Sequence, residues 1–207
     1  MEWNPCLMLH GAKLKTALSK VKLISAQGPW WRAVGHHHTL APPPGLTGKP
    51  QAIWGGSSAI AGARFTPRGG FDSVYLAGDL MTAFVEVQAV ALVPGGTVTL
   101  QAAPWTLVTV KGTVTRVLDL THAGTRSALG TNKREMTGAW LRAKKRPTQE
   151  LARAAYDSGK IAGIKYDSAK HPGGVNLVVF PDRLVASSTD YLEVFDPNGH
   201  LAQRIGA

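Results

Sequence analysis

From Trp30 onward the chain is a succession of short β-type runs, each cut off by a glycine, a proline or a polar turn. WWRAV (Trp30–Val34) and SVYLA (Ser73–Ala77) are followed by TVTLQ, WTLVTV and VTRVLDL in the middle of the chain. IAGIKY, VNLVVF and YLEVF close it. Runs of about four to seven residues rich in Val, Ile, Thr and aromatics suit strands and are too short for substantial helices. With 23 glycines and 13 prolines to punctuate it, the chain is expected to make many turns and few long helices. A doubly wound sheet needs a helix after nearly every strand, and the sequence offers too few. The expected class is α+β, a mainly antiparallel central sheet with a few flanking helices.

Helical spacing appears in three places. Leu14, Leu18 and Val21 fall at i, i+4 and i+7, with Lys13, Lys15, Lys20 and Lys22 on other faces. This is either a helix docked on the domain with a solvated lysine face, or a contact for an acidic partner or a membrane surface. Residues 1–28 are read as an N-terminal extension and 29–207 as one domain. Asp79 sits where an N-cap belongs, and Leu80, Ala83, Phe84, Val87 and Ala91 then make one apolar face, ended by Pro94-Gly95-Gly96. Pro147-Thr148 opens a third helix, with Thr148 as N-cap, Leu151 and Ala155 inward and Gly159 as the stop. The stretches 41–58 and from 121 to the basic Lys144-Lys145-Arg146 read as loops.

Lys and Arg outnumber Asp and Glu by 23 to 13, a formal charge of +10. Such a field favours an anionic partner: nucleic acid, a phosphate-bearing small molecule, an acidic protein or a membrane surface. The single cysteine, Cys6, excludes an intramolecular disulfide and suits a reducing compartment. No apolar run reaches the ~18 residues of a membrane span. The opening MEWNPCLMLHG lacks a basic n-region, so a cytoplasmic location is expected. His36, His37 and His38 are consecutive, so their side chains do not converge as metal ligands, and they read as a loop tract.

Three segments carry residues able to do chemistry. In Gly62-Ala63-Arg64-Phe65-Thr66-Pro67-Arg68-Gly69-Gly70, glycines allow close backbone approach and the arginine forks fit phosphate oxygens. A surface loop with solvated arginines has the same pattern. Neither the Lys-Ser/Thr ending of a P-loop nor a strand–turn–helix setting is present. Glu86 lies on the flank of its helix beside Phe84, Val85 and Val87, either solvated or facing a cleft. In the stretch from Lys165 to Asn176, a strand enters a Gly173-Gly174 turn and another leaves it. This places Ser168 and Asn176 on one rim of what is otherwise an ordinary hairpin. No GxSxG elbow, HExxH, helix-turn-helix or zinc finger is present.

Together these segments resemble the RES domain family, named for its arginine, glutamate and serine. Arg64, Tyr75 in SVYLA, Glu86 in TAFVEV and Ser168 in KYDSA occur in the family's order. The surrounding text is similar too, in GARFTPRGGFDSVYLA and in TQELARAAYDSGKIAGIKYDSAKHPGGVNLVVF, and Trp31-Arg32-Ala33-Val34 is similar to the family's opening strand. Residues 1–28, 41–50 and 95–112 are less family-like.

The resemblance implies an ADP-ribosyltransferase-like fold acting on NAD⁺ as substrate without a metal. It implies a glycohydrolase or phosphorylase that cleaves the nicotinamide–ribose bond or, alternatively, a transferase that moves ADP-ribose onto a protein. It also implies a bacterial toxin silenced by an Xre-like antitoxin, through which any nucleic-acid contact would run. Glu86, Arg64, Tyr75 and Ser168 are the implied catalytic set, and Arg32, Arg64, Tyr75, Ser168 and Asn176 the NAD⁺ contacts. A non-catalytic basic module for nucleic acid or an acidic protein is the rival from another class. Self-association is compatible with either.

Overall fold

The computed structural model describes residues 8–100, 104–139, 146–184, 189–201 and 203–206. Cys6, Lys144 and Lys145 lie outside the described residues. The expected class is the observed one: an 8-stranded, mainly antiparallel sheet with short helices packed around it.

The sheet is organised by one long strand, β6 (Trp105–Asp119). The sequence reads it as two runs, WTLVTV and VTRVLDL, with Lys111-Gly112-Thr113 between them. Gly112 permits a close approach: a Cβ there would lie 2.0 Å from the Tyr191 carbonyl oxygen. β1 (Ile24–Gln27) and β2 (Trp30–Gly35) run antiparallel along one edge of β6, from Ile24↔Val117 to Gly35↔Trp105. Along the other edge, β9 (Tyr191–Val194) pairs near Val110–Thr113 and β7 (Gly163–Asp167) pairs in parallel at Val117–Asp119. β10 (Arg204–Gly206), too short to be marked by the sequence pattern, extends the sheet beyond β9.

From β7 the sheet continues through β8 (Val175–Val179) and β3 (Val74–Ala77) back to β2, so it curls into a nearly closed ring. The closure is incomplete. β2 and β3 share a single paired position, Trp31↔Ala77. Where those two strands splay apart, a cleft opens.

Helices seal the ring. α1 (Gly11–Lys20) packs on α6 (Pro147–Asp157), and its Leu14 and Leu18 enter a core with Leu151, Ala155, Phe65 and Phe180. Burial of Leu14 and Leu18 docks the helix on the domain, and Lys13, Lys15, Lys20 and Lys22 are all exposed. With β1 paired to β6, the described part of residues 1–28 shares the core of the domain.

α3 (Leu80–Glu86) lies against β2 and β3, where Ala33, Ala77 and Ala83 let backbone approach backbone. Asp79 caps it as expected, accepting from Thr82 N–H. Its expected apolar face is corrected. Thr82, Ala83 and Val85 are the buried positions, and Leu80 is 46% exposed. Gln88 turns to φ 60 and ends the helical course, so Ala91 falls in β4 (Val90–Val93), which hairpins with β5 (Gly96–Thr99).

Three short helices interrupt the expected loops: α2 (Gly56–Ala61), α4 (Ala123–Ala128) and α5 (Lys133–Thr137). The N-cap of α6 is Arg146, with Pro147 at the first helical position. Thr148 is instead a buried residue of the first turn, where its hydroxyl has a different partner.

Candidate active site

That partner is the Arg64 carbonyl, which accepts from Thr148 Oγ1 at 2.6 Å. Gln149 Nε2 donates to the Ala63 carbonyl at 2.8 Å, so α6 holds the Arg64 turn by its backbone. Phe65, fully buried against Tyr166, anchors the same turn in the core. Arg64 is thereby raised to the cleft, and its Nη1 is steadied by the Met136 and Gly138 carbonyls at 3.0 and 2.9 Å. Arg68, its neighbour in the motif, is exposed and lies outside the cleft lining.

The cleft encloses about 340 Å³ and is lined from β2, β3, β7, β8 and α3. Such a size suits a small-molecule ligand. Arg32, Arg64, Tyr75, Glu86 and Asn176 all line it. Ser168 is attached through Glu86. Two donors converge on one oxygen, since both Ser168 Oγ and Asn176 Nδ2 donate to Glu86 Oε1 at 2.7 Å. The polar rim expected of the hairpin is present, and its hydrogen bonds are aimed at the carboxylate. Oε1 is doubly occupied, and Oε2 accepts no hydrogen bond among the described residues, so it is the oxygen open to a ligand.

The cationic side is richer than the sequence suggests. Arg32 donates from Nη2 to the Trp54 carbonyl at 3.3 Å, while its Nη1 finds no partner among the described residues. Burial pulls the guanidinium down to about 10, which leaves it charged at neutral pH. Lys170 escapes a reading of the sequence, because a lone lysine in a polar turn looks solvated. It lines the cleft, and its Nζ donates to the Glu86 carbonyl oxygen at 2.8 Å. Burial holds the ammonium below its ordinary value, the Glu86 charge opposes this, and Arg64 adds to the lowering. Among the described residues, three cations and one carboxylate thus line the cleft, charges that would suit an anion bearing an electrophilic or cationic centre.

Tyr75 presents its ring to the cleft and keeps its hydroxyl in the protein. The hydroxyl oxygen accepts from Phe65 N–H at 3.0 Å and shares a proton with Thr66 Oγ1 at 2.9 Å. Burial pushes the phenol well up, against those bonds, so it stays neutral. Tyr166 and Trp31, neither of them among the site residues expected from the sequence, supply further aromatic wall. Their hydrophobic character reads as core and gives no separate signal. Burial also holds the Tyr166 phenol far above its ordinary value.

The described residues include no group of three His, Cys, Asp or Glu side chains placed to hold a metal. His36, His37 and His38 form an exposed 3-10 turn after β2. No helix among the described residues is long and apolar enough to cross a membrane.

Comparison with known proteins agrees with the fold. Among solved structures, a chain of the crystal structure of the M. tuberculosis MbcT–MbcA toxin–antitoxin complex superposes with a TM-score of 0.63 at 21% identity. The match covers 95% of this chain and 91% of that one. No curated protein matches in sequence. The family model of the RES domain matches residues 29–198, from just before β2 to beyond β9. That span takes in every residue lining the cleft, and the chain belongs to the RES domain family.

Proposed function

We propose that this protein consumes NAD⁺ by breaking the bond between nicotinamide and ribose C1′, as the RES resemblance implies. The observation that carries the reading is Glu86, a carboxylate held by Ser168 and Asn176 through one oxygen, with no hydrogen bond to the other among the described residues, in a cleft whose other charged side chains there are Arg32, Arg64 and Lys170. NAD⁺ matches that pattern. Its pyrophosphate is dianionic and suits Arg64 and Lys170, with Arg32 behind them. Its reacting end develops positive charge on the ribose.

As the C1′–N bond breaks, its electron pair leaves with nicotinamide, which becomes neutral. The ribose becomes an oxocarbenium ion. Glu86 stabilises that charge through Oε2 and orients the attacking oxygen. Tyr75, pinned by its hydroxyl, offers a fixed ring against which the nicotinamide can stack. When water attacks, its proton passes to Glu86 and then to solvent. When phosphate attacks, ADP-ribose 1″-phosphate is the product.

We place this activity in a toxin whose partner antitoxin covers the cleft, a role supported by the family and by the toxin–antitoxin complex that shares the fold. Purified protein incubated with NAD⁺, with and without phosphate, tests the chemistry. Nicotinamide release is expected in at least one buffer, and phosphate-dependent release identifies a phosphorylase. No release in either buffer refutes the proposal.

A further inference from the structure

Ser168 is oriented by its surroundings. Its Oγ accepts from His171 N–H at 2.9 Å and, more weakly, from Lys170 N–H at 3.2 Å, so its own proton is directed to Glu86. The turn that supplies those N–H groups is tied to α3 by a second connection. His171 Nδ1 lies 2.6 Å from Thr82 Oγ1, and Thr82 Oγ1 donates to Asp79 Oδ2 at 2.5 Å. A hydroxyl has one proton, and this one goes to Asp79. Thr82 therefore accepts from His171, which fixes the neutral imidazole as its Nδ1–H tautomer.

Two further observations agree. Thr82 is fully buried, so its hydroxyl is costly unless both capacities are used, as they are. Gly174 leaves room for the connection, since a Cβ there would meet Thr82 Oγ1 at 2.4 Å and His171 Nδ1 at 2.8 Å. Capping α3 requires only Asp79 and the Thr82 N–H. The hydroxyl-to-imidazole bond is additional. Thr82 and Glu86 stand at i and i+4, on one face of α3, and both reach to the same turn.

We infer that Thr82 and His171 form a positioning clamp that locks the Ser168–Gly174 turn to α3, so that Ser168 meets the Glu86 carboxylate in one orientation. Neither residue lines the cleft, so both act through Ser168. The inference rests on Glu86 being the working carboxylate of NAD⁺ cleavage.

The test has a spectroscopic and a kinetic arm. In the wild-type protein, nitrogen-15 NMR of neutral His171 is expected to show the proton on Nδ1, and an Nε2–H imidazole overturns the clamp. In kinetics of nicotinamide release, His171→Ala and Thr82→Val are expected to lower kcat about tenfold or more, with KM within about twofold. His171→Asn, which returns a donor, and Thr82→Ser, which returns the hydroxyl, are expected to recover most of the loss. A merely structural role would lower the melting temperature and spare the kcat of the folded protein, so unchanged kcat in either disrupting variant overturns the inference. If Thr82→Val does not fold, His171→Ala and His171→Asn, at a less buried position, answer the same question. If the wild-type protein releases no nicotinamide, the NAD⁺ reading fails and the tautomer still decides the clamp.

Discussion

The two hydrogen bonds on Glu86 Oε1 make a quantitative prediction. Ser168 and Asn176 each donate at 2.7 Å to the same carboxylate oxygen. A hydrogen bond to a charged group contributes about 1.5–3 kcal/mol. If that contribution is expressed as the oxocarbenium ion forms, Ser168→Ala and Asn176→Ala each lower kcat by about 10- to 150-fold while KM changes little. The two losses are not independent. Once one bond is gone the carboxylate can turn, and the other no longer fixes its plane. The double variant should therefore lose less than the product of the single factors, with a coupling of about 1–2 kcal/mol. Ser168→Ala also leaves the N–H groups of Lys170 and His171 without their acceptor, a stability cost of about 1–2 kcal/mol that melting curves will show separately. The assay is nicotinamide release at saturating NAD⁺ by variants shown to be folded. A folded single variant with wild-type kcat, or a double variant equal to the product of the singles, refutes the reasoning.

Further outcomes follow from other parts of the structure. Arg64→Lys keeps the charge and loses the fork, and Lys170→Met loses the charge; each should weaken ADP-ribose binding by about tenfold in calorimetry, and unchanged affinities would place the phosphates elsewhere. Burial alone would raise the Asp79 carboxyl, but the bonds from the Thr82 hydroxyl and N–H and the nearby His171 outweigh it and hold the group below its ordinary value. Its stabilisation is thus present at neutral pH and lost as pH falls through the folded-state value, so the melting-temperature gap between wild type and Asp79→Asn should begin to narrow near the ordinary carboxyl value of about 4 and close only below the folded-state value. Leu14 is 1% exposed in the main core, and Leu14→Ala should cost about 2–4 kcal/mol in denaturant titration; a loss near zero would mean that α1 is dispensable.

Strands are readable as short runs rich in Val, Leu and aromatics, as in WWRAV and VNLVVF; burial does not alternate there, since Asn176, Leu177, Val178 and Val179 are all buried, so composition and run length carry the signal. Gly112 misleads for a physical reason: the same missing Cβ serves a turn and a close backbone approach, and only the position of β9 tells them apart. α4 and α5 span six and five residues, too few for an apolar face to repeat, so nothing marks them as helical. The buried face of α3 is hidden from an apolar pattern because it includes Thr82, whose burial depends on Asp79 and His171. Ser168 and Asn176 are readable as neighbours because a Gly-Gly turn brings its two arms together. That both aim at Glu86 depends on how α3 meets β8, which is tertiary. Lys170 gives no signal, since only the cleft distinguishes it from a solvated lysine.

The central claim, that Glu86 drives cleavage of NAD⁺, is tested most directly by measuring nicotinamide release by the wild-type protein beside Glu86→Gln, with melting curves to show that both are folded. The account predicts release by the wild type and a loss of about a thousandfold or more in the variant, because the amide cannot stabilise the developing positive charge. Equal release by the two proteins, or none by the wild type with or without phosphate, would contradict it.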